Sequence, residues 1–363
     1  RAAVKAISAK AARIVLAARP AVVAAAVRAP VVAVKTLFEL RGEAVATVRT
    51  KGLVLHSPVD ADAWRAPAFH AVALGVWPIF RGFTMTQKTV LITGCSSGIG
   101  RLAAFTFQAN GWNVIATMRT PEKETELNQL DNLLVAQLDV TDGESVDKAI
   151  AAGIERFGTI NVLVNNAGRG GRALLEQMSD EKILDVFETN VFGAMRVTRA
   201  VLPHMRNRGA GCIINVTSMA GVIGLAAETA YCSAKFAAEG FTESLYWECK
   251  PLGIKVRSVA PGVYRATSFG ANVDDEAMEQ GDPSLIAHAR HLRQHFSKSA
   301  DDAGGSAPAD PQEVADRIFI CATQDTPLHN PVGTDAEMIM SMMAVPTRQE
   351  FLDKLEPMIL PSD

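Results

Sequence analysis

The sequence predicts an α/β domain with a doubly wound parallel sheet over residues 85–363. Two observations lead to this fold class: apolar runs of strand length alternate with helical segments, and a glycine-rich loop joins the first run to the first helix. The runs are continuously apolar, which is typical of strands buried on both faces, and the helices between them imply right-handed crossovers. The predicted strands are 89–92, 113–118, 133–138, 161–164, 212–216 and 254–259.

Composition narrows the class of protein before any motif is considered. The chain has 363 residues, of which 48% are apolar and 21% charged, as in a soluble globular protein with a full core. Its five cysteines form no CxxC pair, so we expect reduced thiols and a cytoplasmic protein. No zinc or haem motif is visible, and the absence of an unbroken run of 18 apolar residues argues against a membrane-spanning helix.

Residues 1–84 differ in composition from the rest of the chain. They are rich in Ala, Val and Arg and carry 12 Lys or Arg against 4 Asp or Glu, whereas the remainder carries 24 against 35. The acidic balance of the larger part argues against nucleic acid as a partner. Prolines and arginines interrupt the apolar run over 14–34, which disfavours both a long helix and insertion into a membrane.

Three interpretations of this basic extension stay open. It could be a targeting segment, a loosely membrane-associated arm, or a leader with no selected function. We expect the last, because the chain begins at Arg1 and Met85 lies just before the first clear strand. Residues 1–84 would then lie outside the main fold, and a chain that begins at Met85 should fold and work without them.

A glycine-rich loop follows the first predicted strand directly and precedes the helical run 101–110. Glycines at this place let the backbone turn tightly and approach a pyrophosphate, which lies on the amide groups of the helix N-terminus. A glycine turn made for packing alone is the alternative. The candidate contacts are Gly94, Ser96, Ser97, Gly98, Ile99 and Gly100.

The end of the second strand bears on the choice of dinucleotide. Arg119 stands where an acidic residue would hold a ribose 2′-hydroxyl, and no acid is present there. An arginine suits a 2′-phosphate, so NADP(H) is favoured over NAD(H), which stays possible; a solvated arginine at a strand end is the alternative.

Polar and small residues follow the next two strands. Asp139 could accept a hydrogen bond from an adenine amino group, and Asn166, Ala167 and Gly168 would let a flat ring and ribose lie close. Each pattern alone would equally suit a turn or a helix cap. Asn190 falls within the predicted helix 180–207, where asparagine is a mediocre helix former, so a local hydrogen-bonding duty is expected.

Ser218, Tyr231 and Lys235 carry the strongest indication of chemistry. Ser218 follows a predicted strand, and the segment around Tyr231 has a helical composition. At a spacing of four, Tyr231 and Lys235 project from one helix face, which places an ammonium beside a phenol. A fixed cation lowers a tyrosine pKa from its ordinary ~10, so Tyr231 could exchange a proton with a carbonyl or alcohol oxygen. The same spacing is also common in surface pairs.

Taken together, these residues resemble the short-chain dehydrogenase/reductase family over about residues 87–340. The resemblance implies a Rossmann-type fold and an active-site tetrad of Asn190, Ser218, Tyr231 and Lys235. Tyr231 would be the acid/base, Ser218 would polarise the substrate oxygen, Lys235 would lower the tyrosine pKa and hold the nicotinamide ribose, and Asn190 would keep a water in a proton relay. The motifs that match, in the family's order, are Thr93-Gly94-(x3)-Gly98-Ile99-Gly100, Asp139, Asn165-Asn166-Ala167-Gly168, Asn190, Ser218, Tyr231-(x3)-Lys235 and Pro261-Gly262.

The loop after Pro261 and Gly262 departs from the family pattern. The family often has a threonine four residues after that glycine, bonded to the nicotinamide carboxamide, but this chain has Ala266 there and Thr267 next. Thr267 is therefore the candidate for this contact. Residues 262–310 fall where the family keeps its substrate lid.

The predicted lid carries apolar side chains that indicate a partly apolar substrate: Tyr264, Phe269, Leu285, Leu292 and Phe296. It also carries His288, His291 and His295, spaced to share a helix face. We interpret them as the polar side of an amphipathic helix and expect no metal site, because no carboxylate or cysteine completes a recognisable ligand set.

The segment 114–119 looks like the NADP-preferring branch that includes 17β-hydroxysteroid and retinol dehydrogenase-like members. The resemblance thus implies an oxidoreductase that interconverts an alcohol and a ketone or aldehyde on a small molecule. It also implies a homodimer or homotetramer joined through the helices that contain Asn190 and Tyr231. Two alternatives are a non-catalytic dinucleotide-sensing protein, against which the complete tetrad argues, and a scaffold built on residues 1–84.

Overall fold

The computed structural model describes residues 44–50, 53–59, 87–264, 273–274, 276–304 and 309–361. The chain divides into two compact units, Arg1–Met85 and Thr86–Asp363. In the first unit, β1 (Ala44–Thr50) and β2 (Leu53–Val59) pair as antiparallel strands. The sequence analysis did not predict this pair.

The second unit is built on a seven-stranded parallel sheet. Its strands are β3 (Thr89–Ile92), β4 (Asn113–Met118), β5 (Leu133–Gln137), β6 (Val162–Asn165), β8 (Gly211–Val216), β9 (Ile254–Pro261) and β11 (His329–Val332). They lie in the order β11-β9-β8-β6-β3-β4-β5. The chain proceeds outward from β3 in both directions, so the strand order reverses between β3 and β6. The predicted fold class is confirmed.

Three short strands were not predicted. β7 (Gly170–Gly171) and β10 (Val273–Asp274) form a separate parallel pair of two residues each. β11 is the edge strand beside β9, and its sequence His-Asn-Pro-Val lacks a continuous apolar run. Proline is tolerated in this strand because the outer edge of an edge strand needs no ladder partner. The proline and the polar residues interrupt the apolar pattern, so periodicity alone missed the strand.

Helices cover both faces of the sheet. They are α1 (Gly98–Ala109), α2 (Gly143–Phe157), α3 (Asp180–Phe187), α4 (Ala194–Arg208), α5 (Thr229–Cys249), α6 (Pro283–Gly304), α7 (Gln312–Thr323), α8 (Thr334–Met342) and α9 (Arg348–Ile359). A π-helical segment, Glu188–Gly193, joins α3 to α4. In the described parts of the chain, no helix combines the length and apolarity needed to cross a membrane.

Two apolar layers hold the sheet between the helices. Val90 and Ile92 of β3 pack with α1 and α7, whereas Leu91 between them packs with α2, α4 and α5. All three side chains are fully buried, as expected when successive residues of a strand point to opposite covered faces. Phe107 of α1 meets Phe319 of α7 edge to face, with ring centroids 5.1 Å apart. These contacts hold α1 and α7 against one face of the central strands.

A buried ion pair holds α1 to the segment that follows β4. Arg101 Nη2 lies 3.1 Å from Glu124 Oε1, and that oxygen also accepts the backbone N–H groups of Glu126 and Leu127 at 2.8 and 2.9 Å. The Glu124 side chain is only 4% exposed. The hydrogen bond with Arg101 lowers the pKa of Glu124 from 4.5 to about 2.

Glu124→Gln should lower the free energy of unfolding by about 1–3 kcal/mol at neutral pH, because Arg101 loses its buried carboxylate partner and keeps only the exposed Glu126. Because the folded-state pKa of Glu124 is depressed, its contribution is present above pH 4.5 and is lost as the pH falls toward about 2. Urea denaturation near pH 7 and about pH 3 measures both effects. The exposed Glu122→Gln is the control; an equal loss in both variants, or a loss independent of pH, would contradict this account.

Candidate active site

A cavity of about 870 Å³ lies at the carboxyl ends of the parallel strands, over the point where the strand order reverses. The loops after β3, β4, β5, β6, β8 and β9 all contribute to its wall, and α6 adds Arg293, Phe296 and Ser297. This is the place where open α/β sheets bind their ligands, since the loops there diverge and leave a crevice.

The structure brings most of the predicted site residues to this cavity. Gly100 and Asn190 are buried behind its wall, and Thr267 lies outside the described residues. The predicted residues that line the cavity are Gly94, Ser96, Ser97, Gly98, Ile99, Arg119, Asp139, Asn166, Ala167, Gly168, Ser218, Tyr231, Lys235, Pro261 and Gly262.

The glycine loop packs directly against the loop after β6. Gly94 has φ +74°, and a Cβ there would lie 2.9 Å from Ala167 Cα, so only glycine fits. Thr93 Oγ1 accepts the backbone N–H groups of Asn166 and Ala167, each at 3.0 Å, and Asn166 Nδ2 donates to Thr93 O at 2.9 Å. The glycine spacing therefore serves packing as well as access. Thr93 stood in the predicted motif, but its role as this clamp was missed.

Residue Ser97 occupies the N-cap position of α1 yet makes no side-chain capping hydrogen bond there. By contrast, Asp142 caps α2 by accepting the N–H of Glu144 at 2.9 Å. The first turn of α1 thus keeps N–H groups that no capping side chain satisfies, beside the glycine loop. Such a helix start favours a bound anion.

At the far end of the cavity, Arg119 and Asp139 follow β4 and β5. Arg119 is exposed at the rim, and its backbone carbonyl accepts a hydrogen bond from Gln137 Nε2 at 3.2 Å. Asp139 Oδ1 accepts from the backbone N–H and the hydroxyl of Thr141 at 2.9 and 2.8 Å. One carboxylate oxygen of Asp139 therefore stabilises its own turn, and the predicted contact with an adenine amino group stays a prediction.

Ser218, Tyr231 and Lys235 meet at the ends of β8 and α5. Ser218 starts the short turn Met219–Gly221, and its hydroxyl is hydrogen-bonded to the Tyr231 phenol. Lys235 Nζ donates to Val216 O at 3.1 Å and lies 5.7 Å from the centroid of the Tyr231 ring. This arrangement places a hydroxyl, a phenol and an ammonium on one wall of the cavity.

Burial is the largest effect on the pKa values of Tyr231 and Lys235. It raises the pKa of Tyr231 above its ordinary value, against the hydrogen bond from Ser218, which acts to lower it. We expected the neighbouring ammonium to lower this pKa; desolvation of the phenolate acts in the opposite direction and is the largest effect. Burial also lowers the pKa of Lys235 to about 8, although Glu239 acts to raise it.

The Asn190 side chain hydrogen-bonds to the backbone of the loop after β6. It lies in the π-helical segment Glu188–Gly193, where its Oδ1 accepts the N–H of Arg169 at 3.0 Å and its Nδ2 donates to Arg169 O at 2.7 Å. A Cβ on Gly168 would lie 2.9 Å from Asn190 Oδ1. The predicted local hydrogen bonding of Asn190 is confirmed. The helix is wider at this residue, and such π-helical turns are common at functional sites.

Sequence reasoning missed six charged residues of the cavity wall, and two of these, Arg172 and Glu228, bear on Tyr231. Arg172 Nε donates to Glu228 Oε1 at 3.1 Å, and both side chains act on the pKa of Tyr231. The backbone beside them is strained: Ala227 has φ +57°, and its carbonyl accepts the N–H of Ala173 at 2.9 Å. The position of Glu228, three residues before Tyr231, could have drawn attention to it, whereas nothing in the sequence singled out Arg172.

The Pro261-Gly262 loop is held by a carboxylate that the sequence analysis also missed. Asp335, at the start of α8, accepts the backbone N–H groups of Val263 and Ala336 at 2.7 and 2.8 Å. A Cβ on Gly262 would overlap the Asp335 carboxylate, so the glycine is required for this close approach.

The predicted lid is described in part, since 265–272, which includes Phe269, together with 275 and 305–308, lies outside the described ranges. Tyr264 and Phe296 line the cavity, whereas Leu285 and Leu292 do not. His295 Nε2 lies 3.1 Å from Pro357 O of α9. Within the described ranges, no group of three or more His, Cys, Asp or Glu side chains is arranged to hold a metal ion.

Residues 88–277 match the family model for short-chain dehydrogenases. A relative from Bacillus subtilis, the uncharacterized oxidoreductase YusZ, is 36% identical over 70% of this chain and 92% of its own length. Human retinol dehydrogenase 8 is 36% identical over 61% of this chain and 75% of its own.

Solved structures give the same result. A short-chain dehydrogenase from Streptomyces avermitilis is 35% identical and superposes with a TM-score of 0.62 over 74% of this chain and 97% of its own. ElxO with NADP bound is 28% identical, with a TM-score of 0.57 over 69% and 99% of the two chains. The match to a family model over more than half of the sequence, carried by a cavity with this arrangement of glycines, serine, tyrosine and lysine, shows that the chain belongs to the short-chain dehydrogenase family and is an oxidoreductase acting on CH–OH groups.

Proposed function

We propose that this protein is a cytoplasmic, NADP(H)-dependent oxidoreductase that interconverts an alcohol and a ketone or aldehyde on a small, partly apolar molecule. The observation that carries the proposal is a single cavity lined by the glycine loop, Arg119, Ser218, Tyr231 and Lys235. The five cysteines are all buried free thiols, which supports a reducing compartment.

The residues of the cavity fit a dinucleotide that carries a 2′-phosphate. The uncapped start of α1 and the glycine loop would hold the pyrophosphate, and Arg119 at the open rim would pair with a 2′-phosphate. Asp139 would take the adenine end, with Asn166, Ala167 and Gly168 beside the ribose and Lys235 on the nicotinamide ribose. The bound NADP state of ElxO supports the same assignment. When bound, the dinucleotide supplies or accepts the hydride.

The protein's own residues handle the proton. Because burial raises the pKa of Tyr231, its phenol stays protonated at neutral pH and is ready to donate to the oxygen of a carbonyl under reduction. Ser218, hydrogen-bonded to the phenol, holds the same oxygen in place. Lys235, with a pKa of about 8, is largely charged at neutral pH and stabilises the phenolate that remains after the transfer.

The substrate would lie between Tyr231 and α6. Leu225, Val263 and Phe296 line this part of the cavity with apolar surface, and the Arg172–Glu228 pair adds one polar feature. A non-catalytic dinucleotide sensor needs none of these side chains, nor a serine bonded to the tyrosine, so we do not favour it.

We also propose that residues 85–363 are the catalytic domain, since every side chain named above belongs to the unit Thr86–Asp363.

Tyr231→Phe should reduce kcat by about 10²–10⁴-fold while the dissociation constant for NADPH stays within about twofold, because only the proton donor is lost. Steady-state reduction of a panel of apolar ketones and aldehydes, with NADPH fluorescence for binding, measures both quantities. Tyr246→Phe on the same helix, outside the cavity lining, is the matched control. A Tyr231→Phe protein with wild-type turnover would refute the mechanism.

Arg119→Asp should move the preference toward NAD(H). The carboxylate would repel a 2′-phosphate and could accept from a 2′-hydroxyl, so the ratio of kcat/KM for NADPH over NADH should fall by about tenfold or more. Arg156→Asp makes the same charge change at an exposed position of α2, outside the cavity lining and the proposed subunit contacts, and should leave the ratio unaltered. An unchanged ratio in Arg119→Asp would remove this residue from the cofactor site.

We further propose a homodimer or homotetramer joined through α4, α5 and the π-helical segment. Large apolar side chains are exposed on these elements: Phe192 by 45%, Met195 by 36% and Phe236 by 40%. Such surface is typical of association sites. Light scattering at micromolar concentration should give the mass of two or four chains and a smaller mass for Phe236→Glu than for the control Leu352→Glu on α9. A wild-type monomer would contradict the proposal.

A further inference from the structure

A buried carboxylate lies one helical turn beyond Lys235. Glu239 follows Lys235 by four residues on α5, so the two side chains share one face of the helix, and Glu239 is only 7% exposed. A Cβ on Gly221 would lie 2.8 Å from Glu239 Cγ and 3.0 Å from Lys235 O, so the turn that begins at Ser218 packs on this part of α5. A carboxylate buried this deeply needs partners to stay ionised.

The partners of Glu239 come from three neighbouring strands. Ser258 Oγ on β9 donates to Glu239 Oε1 at 2.7 Å and lies 3.1 Å from Thr217 Oγ1, directly after β8. On the edge strand β11, His329 Nδ1 lies 3.3 Å from Glu239 Oε2. Burial acts to raise the pKa of Glu239, but the hydrogen bonds from His329, Thr217 and Ser258 outweigh it and lower this pKa.

The same histidine reaches the surface. His329 Nε2 lies 3.2 Å from Glu243 Oε1, and the two side chains are 35% and 58% exposed. Its hydrogen bond with Glu239 raises the pKa of His329. The charged groups that face Glu239 within the described ranges are thus Lys235 and Glu243 from α5 and His329 from β11; Arg257, next to Ser258, pairs with Asp325 instead.

This network reaches the cavity at two residues, Lys235 and Thr217, and Lys235 is the charged one. Neither Glu239 nor His329 lines it, whereas Lys235 does. The negative charge of Glu239 opposes the effect of burial on Lys235, so it governs how far the ammonium keeps its proton as the pH rises.

We propose that Glu239 and His329 are positioning residues for the reaction: the Glu239 carboxylate, held ionised by Ser258 and His329, keeps Lys235 protonated, and His329 connects that carboxylate to solvent at the edge of the sheet. This inference rests on the proposed function, in which charged Lys235 stabilises the Tyr231 phenolate.

The test is the pH profile of kcat/KM for NADPH-dependent carbonyl reduction by the full chain. Removing the carboxylate in Glu239→Gln should lower the proton affinity of Lys235, so the alkaline limb of the profile should move down by about one pH unit, a tenfold loss on that limb. His329→Gln should move it in the same direction by less, and Glu239→Asp should restore it in part. Glu248→Gln, exposed on the same helix, is the control for a general charge effect.

A second readout needs no turnover. Lysines methylated with a carbon-13 label report their own titration by NMR, and Lys235→Arg identifies the signal of Lys235. The pH midpoint of the Lys235 signal should fall in Glu239→Gln and should be unchanged in Glu248→Gln. An unmoved midpoint in both Glu239→Gln and His329→Gln would overturn the inference, as would an equal shift in the control.

The two readouts separate the inference from the function on which it rests. If the wild type binds no dinucleotide, the proposed function fails while the lysine titration still tests the effect of Glu239 on Lys235. If Glu239→Gln does not fold, the partly exposed His329→Gln carries the test in both readouts.

Discussion

The hydrogen bonds between the loop after β3 and the loop after β6 are the constraint on which the site depends. Thr93 Oγ1 accepts two N–H groups from Asn166 and Ala167, and the Asn166 amide returns a hydrogen bond to Thr93 O. These loops belong to adjacent strands at the reversal of strand order, so tying them together sets the width of the crevice. Gly94 makes the approach possible, because a Cβ there would lie 2.9 Å from Ala167 Cα. Gly168 does the same for Asn190, whose Oδ1 would lie 2.9 Å from a Cβ on Gly168.

Desolvation of Tyr231 and Lys235 in this crevice sets the direction of their pKa shifts. A tyrosine whose pKa is raised by burial keeps its proton, and a lysine whose pKa is lowered to about 8 holds its charge less firmly, so neither group alone is suited to reversible proton exchange. In the proposed reaction their proximity would change this, because transfer of the Tyr231 proton would leave a phenolate near the Lys235 ammonium, in a medium that strengthens their attraction. The buried Glu239 on the same helix extends this electrostatic pairing away from the cavity to the sheet edge.

The sequence was sufficient for what depends on local pattern. Continuous apolar runs located β3, β4, β5 and β9 with their starts correct, and the spacing of Tyr231 and Lys235 placed both on one wall of the cavity. It could not supply what depends on tertiary packing: the edge strand β11, the widened turn at Asn190, the Arg172–Glu228 pair, and the direction of the Tyr231 pKa. That direction follows from burial, which no residue spacing reveals. Thr267 lies outside the described residues, so its role stays a prediction.

The central claim is that the cavity at the carboxyl ends of the strands binds a nicotinamide dinucleotide phosphate at the glycine loop. A fluorescence titration of the full chain with NADPH, followed at the nicotinamide emission and repeated with NADH, tests it most directly. The account predicts saturable enhancement that NADP⁺ displaces, with tighter binding of NADPH than of NADH. Tighter binding of NADH would overturn the cofactor assignment, and binding of neither dinucleotide would contradict the account as a whole.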